Sequence, residues 1–344
     1  MKRGTALLAL VSLAVMLAAP GFARAQSYSI EVLQVTDIEM FDMCFDGFKE
    51  QLAASGIVEG KNCTFNRRVI QFDAENAGLL KKIGLLREIK KQAAGIVGAK
   101  PDLVLTIGTP ATKYAKDAII AAGIPVVFTG VAIPEAAGCK SVAEAGPGFT
   151  GSTLWMDMKS VMDIFRLAFP SVKTVALIHS DDDNALAQVE DALKYASGYN
   201  LTVLARQIER NDSIRPAARE LMDQGAEMFW IPLDTYYGLR DLSEFRALCE
   251  ETTARNILIF SLTQVNTKGG IMAVGSHFPT IGAYSGQQAA RILLEGASPE
   301  SLPILRQEQL LIRVDEKKMV EYGLSFPAEL LKVAKPIIEE LLEE

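Results

Sequence analysis

The sequence predicts an α/β protein made of two doubly wound parallel-sheet lobes joined by a multi-crossing hinge. Three observations carry that prediction. From residue 28 onward, short β-rich runs alternate with stretches of helical spacing, the pattern of parallel sheets covered by helices on both faces. After Gly151 the rhythm restarts and gives a second round of comparable size. Between the rounds lies Gly146-Pro147-Gly148-Phe149-Thr150-Gly151, a glycine-rich stretch suited to a joint.

In the first round, strands are expected at residues 28–35, 63–72, 103–107 and 126–129. The first intervening helix is marked by the spacing of Phe45, Phe48 and Leu52, and the second covers residues 79–97. The third, residues 111–122, is announced by Thr109-Pro110, a cap residue followed by a proline suited to the first helical position. In the second round, strands are expected at 174–179, 201–206, 228–232 and 257–260, with helices at 158–168, 184–197, 213–224 and 241–254. A strand at 270–276, a helix at 280–295, a strand at 309–314 and an amphipathic helix over 327–344 complete the lobes. The helix would group Leu330, Leu331, Ala334, Ile338, Leu341 and Leu342 on a core-packing side. The chain therefore crosses between lobes more than once. The expected division is 26–149 plus about 277–303 for the N-terminal lobe, and 150–276 plus about 304–344 for the C-terminal lobe.

Residues 1–25 read as a cleaved export signal. Lys2 and Arg3 give a positive start, residues 6–19 are apolar apart from Ser12, Pro20-Gly21 breaks the helix, and Ala23-Arg24-Ala25 fits the small-x-small cleavage rule. Fourteen helical residues span about 21 Å, short of a ~30 Å hydrocarbon core. No cysteine stands near the site to carry a lipid anchor. The whole chain of 344 residues has 35 Lys+Arg against 42 Asp+Glu, a net charge of -7, and cleavage removes three of the positive charges. The mature protein is expected to be acidic, soluble and periplasmic. A negative chain repels phosphate, which argues against nucleic acid as a partner, and a hydrophobic fraction of 49% argues against general disorder.

Few motifs carry chemistry. Cys44, Cys63, Cys139 and Cys249 are widely spaced and form no C-x-x-C pair, so they read as mostly buried, unpaired thiols. His179 and His277 are the only histidines, too few for a His-dependent triad or a His-rich metal site. No metal and no cofactor are expected. Gly146 to Gly151 satisfies G-x-G-x-x-G literally, but no strand closely precedes it and no helix begins inside it, so it reads as the hinge. Residues 56–62 read as a helix-to-strand turn, and Asp181-Asp182-Asp183 as caps and dipole partners of a helix start.

The functional signal is positional. Doubly wound sheets bind ligands beyond the carboxyl ends of their strands, and two facing lobes make a cleft there. The loops at those ends run over 36–41, 71–72, 108–110 and 129–131 in the first lobe, and 180–184, 232–237 and 261–264 in the second. Residues 152–155 and 276–278 lie near the crossings. The candidate contacts are Asp37, Phe41, Thr109, Pro110, Thr129, Gly130, Trp155, Ser180, Asp234, Thr235, Tyr236, Ser261 and His277. Thr109 has two compatible roles, since a capped helix start still offers free N–H groups to an anion. Tyr236 and its neighbour Tyr237 follow a strand directly and read as cleft contacts. Asp234 reads first as a loop stabiliser and second as a partner for a ligand ammonium. His277 fits equally a buried hydrogen-bonder and a ligand contact.

Several runs resemble the substrate-binding proteins of ABC transporters. They are Gly47-Phe48, Gly56, Glu59-Gly60-Lys61-Asn62, Pro101-Asp102-Leu103-Val104 and Thr109-Pro110-Ala111. To these are added Ile124 to Thr129, Pro134, Phe149-Thr150-Gly151, Pro232-Leu233-Asp234-Thr235 and Gly270 to Gly275. The sequence is similar to the group that includes tryptophan and tyrosine binders, with the type I periplasmic binding protein fold. The resemblance implies a two-lobed clamp with three crossing segments that closes on a small ligand and delivers it to an inner-membrane permease. It also implies that Thr109 and Thr129 face the ligand, and that residues 232–235 form the Pro-x-Asp-Thr turn. The chain departs from the family pattern at Ile133, Gly148, His179-Ser180 and Ser276-His277-Phe278, several of them less polar than usual.

The resulting expectation is a monomeric, non-catalytic solute-binding protein of an ABC importer. Its ligand would be a small apolar or aromatic, amino-acid-like carboxylate, with the acid at Thr109 and Thr129 and the aromatic part at Phe41, Trp155, Tyr236 or Tyr237. The alternatives are a ligand-sensing module for a membrane receptor and a binder of a non-amino-acid apolar solute. An enzyme is disfavoured by the scarcity of His and the lack of any nucleophile or phosphate motif.

Overall fold

A computed structural model describes residues 27–71, 79–263 and 269–337. The expected signal segment, Phe72, Gln264 and residues 338–344 of the expected C-terminal helix lie outside the described residues.

The first lobe is built from β1 (Tyr28–Val35), α1 (Glu39–Ala54), β2 (Cys63–Ile70), α2 (Leu79–Ala99), β3 (Leu103–Ile107), α3 (Thr109–Ala121), β4 (Val126–Val131) and β5 (Phe149–Thr153). The second contains α4 (Met158–Ala168), β6 (Thr174–His179), α5 (Asp183–Ala196), β7 (Thr202–Gln207), α6 (Ile214–Asp223), β8 (Met228–Ile231), α7 (Ser243–Thr253), β9 (Leu258–Ser261) and β10 (Met272–Gly275). The tail comprises α8 (Phe278–Glu295), β11 (Leu305–Arg306), β12 (Leu311–Val314), α9 (Glu316–Glu321), α10 (Ala328–Val333) and β13 (Lys335–Pro336).

The sheet orders are β11-β5-β4-β3-β1-β2 and β13-β12-β10-β9-β8-β6-β7. Every pairing is parallel except β10 with β12. Both lobes thus repeat one winding, in which the second strand lies outside the first and the third to fifth run the other way. The topological switch points fall between β1 and β3 and between β6 and β8, where a ligand crevice is expected.

The strands read as near-continuous apolar runs because helices cover both faces of each sheet. On β1, Ile30 and Val32 enter the core beside α1, while Leu33 and Val35 enter the core beside α2 and α3. On β6, Val175 and Leu177 face one core, and Ala176 and Ile178 face the other. This period of two is the geometry of a pleated strand buried twice over.

The glycine-rich stretch is corrected by the structure. Phe149 to Gly151 form the start of β5, in register with β4, and are not a free joint. Gly151 is there for close approach, because a Cβ would lie 2.2 Å from the Phe128 carbonyl oxygen. The first crossing follows Thr153, the second joins β10 to α8, and the third joins β11 to β12, so three segments link the lobes. Ser152 anchors the first of these: its Oγ donates to the Ile281 carbonyl at 2.6 Å, and the Ser285 hydroxyl beside it donates to the Phe128 carbonyl at 2.6 Å.

The C-terminal expectation also changes. The helix ends at Val333, and the chain then pairs as β13 along β12. Leu330 is buried, whereas Leu331 is exposed, so a single six-residue turn of helix carries the packing. The two lobes meet directly where Met40 of α1 touches Gly238, and where Leu233 packs on the cluster of Ile38, Leu154 and Phe278.

Candidate ligand cleft between the lobes

The carboxyl ends at the two switch points face one another across a cavity of about 400 Å³. Its first-lobe wall includes Thr36, Phe41, Gly108, Thr109, Gly130 and Tyr114, and its second-lobe wall includes Asp181, Asp182, Asn184, Arg210 and Thr235.

The first-lobe wall centres on the start of α3. Gly108 holds the cap position at φ 85°, a conformation that disfavours side chains, and supplies no side-chain cap. The first N–H groups of the helix are therefore not taken by a capping side chain. Thr109 is 4% exposed, and its Oγ1 has no hydrogen-bond partner. Native proteins seldom leave such a buried group unpaired, so this hydroxyl calls for a partner that enters from outside. The Phe41 ring lies across Gly108 and Gly130; a Cβ on Gly108 would stand 2.9 Å from Phe41 Cζ. Ile83 and Leu86 of α2 extend this surface and make it largely apolar. At the mouth, Thr36 sits at φ 69°, strained for a β-branched residue, while its N–H still donates to the Ile70 carbonyl at 3.0 Å.

The second-lobe wall is a connected polar network with one unpaired atom. Arg210 Nε donates to Asp181 Oδ1 at 2.6 Å and Nη1 donates to Thr235 Oγ1 at 2.9 Å, while Nη2 lies 3.9 Å from Asp182 Oδ2. Thr235 Oγ1 in turn donates to Asp182 Oδ2 at 2.9 Å, and Asp182 Oδ1 caps α5 by accepting from the Asn184 N–H at 2.9 Å. Burial lowers the Arg210 pKa, but the charges of Asp182 and Asp181 outweigh it and raise the net value. Behind this layer, Asp234 accepts from the N–H and Oγ of Ser180 at 2.6 and 2.8 Å and from the Tyr236 N–H at 2.8 Å. Burial, and then the Asp182 charge, push its pKa up to about 6 despite these donors. Asn184 Oδ1 is buried without a partner, the second orphan along the cavity.

The sequence matches the ABC transporter substrate binding protein family over residues 29–338. The chain belongs to that family. Its members are solute-binding proteins, not enzymes, and they work with an ABC permease. No curated protein sequence matches the chain significantly. Among solved structures, a Streptococcus pneumonia ABC domain in complex with L-Trp superposes with a TM-score of 0.73 at 21% identity, over 90% of this chain and 99% of that one. A ligand-free, open substrate-binding protein with adhesive properties from Clostridium difficile gives 0.68 at 21% identity, over 90% and 98%. An R. palustris solute-binding protein in complex with 4-hydroxybenzoate gives 0.61 at 15% identity, over 85% and 93%. These likenesses establish the two-lobed periplasmic binding protein fold.

In this substrate-binding protein, five of the residues singled out from sequence line the cavity together: Phe41, Thr109, Pro110, Gly130 and Thr235. Others serve the frame. Thr129 is fully buried, with its hydroxyl 3.4 Å from Ser152 Oγ, because it points to the hinge seam, and its neighbour Gly130, itself buried, lines the cavity. Ser180 and Asp234 bond each other, and Ser261 Oγ donates to the Thr263 carbonyl at 2.9 Å. Tyr236 and Tyr237 are core residues: their hydroxyls donate to the Asp212 and Ile178 carbonyls, both at 2.8 Å, and their rings meet edge to face. Asp37 is exposed just beyond β1. Trp155 lies at the hinge, under the Arg306 guanidinium, and lines a separate cavity of about 350 Å³. His277 starts α8, with Nδ1 2.9 Å from Thr280 Oγ1; burial and the nearby Arg313 and Lys335 push its pKa down.

Position in the sequence puts the 180–184 loop at the cleft, where its acids read as caps, and no motif marks Arg210. Asp182 is indeed the cap of α5, and it faces the cavity as well. The available signal was position: Arg210 stands three residues past β7, the strand beside the switch strand.

Proposed function

We propose that this protein is exported to the periplasm by a cleaved signal, captures a small carboxylate with an apolar or aromatic body between its lobes, and delivers it to an inner-membrane ABC permease as a monomer. The observation that carries this reading is the buried, unpartnered Thr109 hydroxyl at the uncapped start of α3. A carboxylate there accepts from Thr109 and from the first N–H groups of the helix, and the helix dipole favours its charge. Charge-assisted hydrogen bonds contribute about 1.5–3 kcal/mol each, enough to orient a small ligand. The apolar body then lies against Phe41, Leu86 and Tyr114.

Closure supplies the mechanism. A ligand held on the first-lobe wall gains contacts with Asn184, Thr235 and Arg210 only when the second lobe swings over it, so binding shifts the population toward the closed state. Three crossing segments restrict that swing to a hinge motion. Native mass spectrometry of the purified mature protein, followed by a thermal-shift screen of amino acids and aromatic acids, tests the reading. A co-purifying or stabilising aromatic carboxylate supports it, since a ligand bound only by the folded state raises the melting temperature. A panel without any shift contradicts it.

A further inference from the structure

Charge is shared unevenly between the walls of the cleft. The second-lobe lining sets Asp181, Asp182 and Asp183 against the guanidinium of Arg210, which is itself engaged by Asp181, by Thr235 and, at 3.9 Å, by Asp182. That wall is net negative and by itself opposes an entering carboxylate. The helix start at Thr109 offers only about half an elementary positive charge, too little to offset it. Among the described residues of the first-lobe lining, the one full cation is Lys113. It stands one turn beyond Thr109 on α3, at the spacing that puts two side chains on the same helix face, and helical side chains lean toward the N-terminus. Lys113 is exposed, its Nζ rests 5.6 Å from the centre of the Tyr114 ring, and no carboxylate among the described residues pairs with it. Lys116, on the same helix, is by contrast buried and bonded to Asp117 at 2.8 Å. Asp183 faces the cavity from the opposite side and needs no cation, because it occupies the first turn of α5, where the dipole favours its charge.

We infer that Lys113 is the specificity-determining cation of the cleft: its ammonium swings back over the α3 start and pairs with the ligand's carboxylate, so the site takes the acid and discriminates against the uncharged amide of the same shape. This rests on the reading of the cleft as a carboxylate site and deepens it. A carboxylate has acceptor capacity for several donors, so Thr109 and the first N–H groups of α3 serve one side of it while Lys113 serves the other. The flexible lysine stem and its rotatable donors allow that reach. Closure then brings the net-negative wall over a ligand whose charge is already matched. Without Lys113, the same motion would press a bare anion against three aspartates, with only Arg210 among them to offset their charge.

Isothermal titration of the full mature protein with acid–amide pairs tests this: 4-hydroxybenzoate against 4-hydroxybenzamide, and L-tryptophan against L-tryptophanamide. The expected result is that the acid of at least one pair binds at least about tenfold tighter than its amide. Lys113→Gln should remove most of that preference by weakening the acid, and Lys113→Arg, which keeps the charge, should retain it. Asp183→Asn should widen the preference, because it takes a negative charge from the opposite wall. A preference that survives Lys113→Gln intact overturns the inference while leaving the carboxylate reading in place. So does a loss of acid affinity in Asp183→Asn as large as that in Lys113→Gln, which would mean that the two residues pair with each other across the cleft. Equal binding of acid and amide by the unmodified protein overturns both readings, as does binding of none of the four probes.

Discussion

The first-lobe wall of the cleft ends in an uncapped helix start and a buried Thr109 hydroxyl with no partner, whereas across the cavity Asp181, Asp182, Thr235 and Arg210 bond one another and Asp234 is held from behind by three donors. One wall offers an unpaired donor, and the other, apart from the Asn184 side-chain carbonyl, is paired within itself. The difference teaches where a ligand gains most. A group that satisfies an orphaned donor recovers a desolvation cost that folding has already paid, while a group that intrudes on a finished network must first break it.

The largest effect on this contrast is expected from Gly108→Val. A β-branched side chain is strained at φ 85°, and its Cβ collides with Phe41 Cζ. Ligand affinity should fall by roughly two orders of magnitude by titration, with a loss of stability of about 1–3 kcal/mol. Retained affinity would mean that the first wall is not the recognising one.

A smaller effect concerns the finished wall. Asp234 titrates near pH 6 in the folded protein, against an ordinary value of 3.8, so between those values the folded state holds more protons than the unfolded chain. Its contribution to stability is therefore fully present at the acid end of that window and is lost as pH rises through about 6. Asp234→Asn cannot titrate, so the melting temperature of the unmodified protein minus that of the variant should grow as pH falls from 7 to 5. A constant difference would show that Asp234 keeps an ordinary carboxylate pKa. The smallest effect is expected from Tyr236→Phe, which removes a hydroxyl bonded to the Asp212 carbonyl in the second-lobe core. It should cost about 1 kcal/mol of stability and leave ligand binding unchanged. A change in affinity would bring Tyr236 back to the cleft.

Much of the architecture was legible in the sequence because it depends on local pattern. The buried runs on β1, β3 and β6 coincide with their expected limits, and Thr109-Pro110 announced α3. What sequence could not reveal depends on distant partners. Gly151 reads as a flexible joint until the Phe128 backbone is seen pressed against it. Tyr236 and Tyr237 read as cleft aromatics until the carbonyls that accept from their hydroxyls are found inside the lobe. Thr129 and Gly130 are adjacent, yet β4 loses its register after Phe128 and Gly130 turns at φ 68°, so one faces the hinge seam and the other the cavity. Nothing local marks Arg210, because its partners Asp181 and Asp182 lie about thirty residues away in the chain.

The most direct measurement is a thermal-shift titration of Thr109→Val beside the unmodified protein, with the aromatic carboxylate that stabilises the latter most. Valine keeps the shape and removes the orphaned hydroxyl. The ligand-free variant should therefore melt no lower than the unmodified protein, while its affinity for the carboxylate falls about tenfold or more. An undiminished ligand-induced shift in Thr109→Val would contradict the assignment of the α3 start as the carboxylate site.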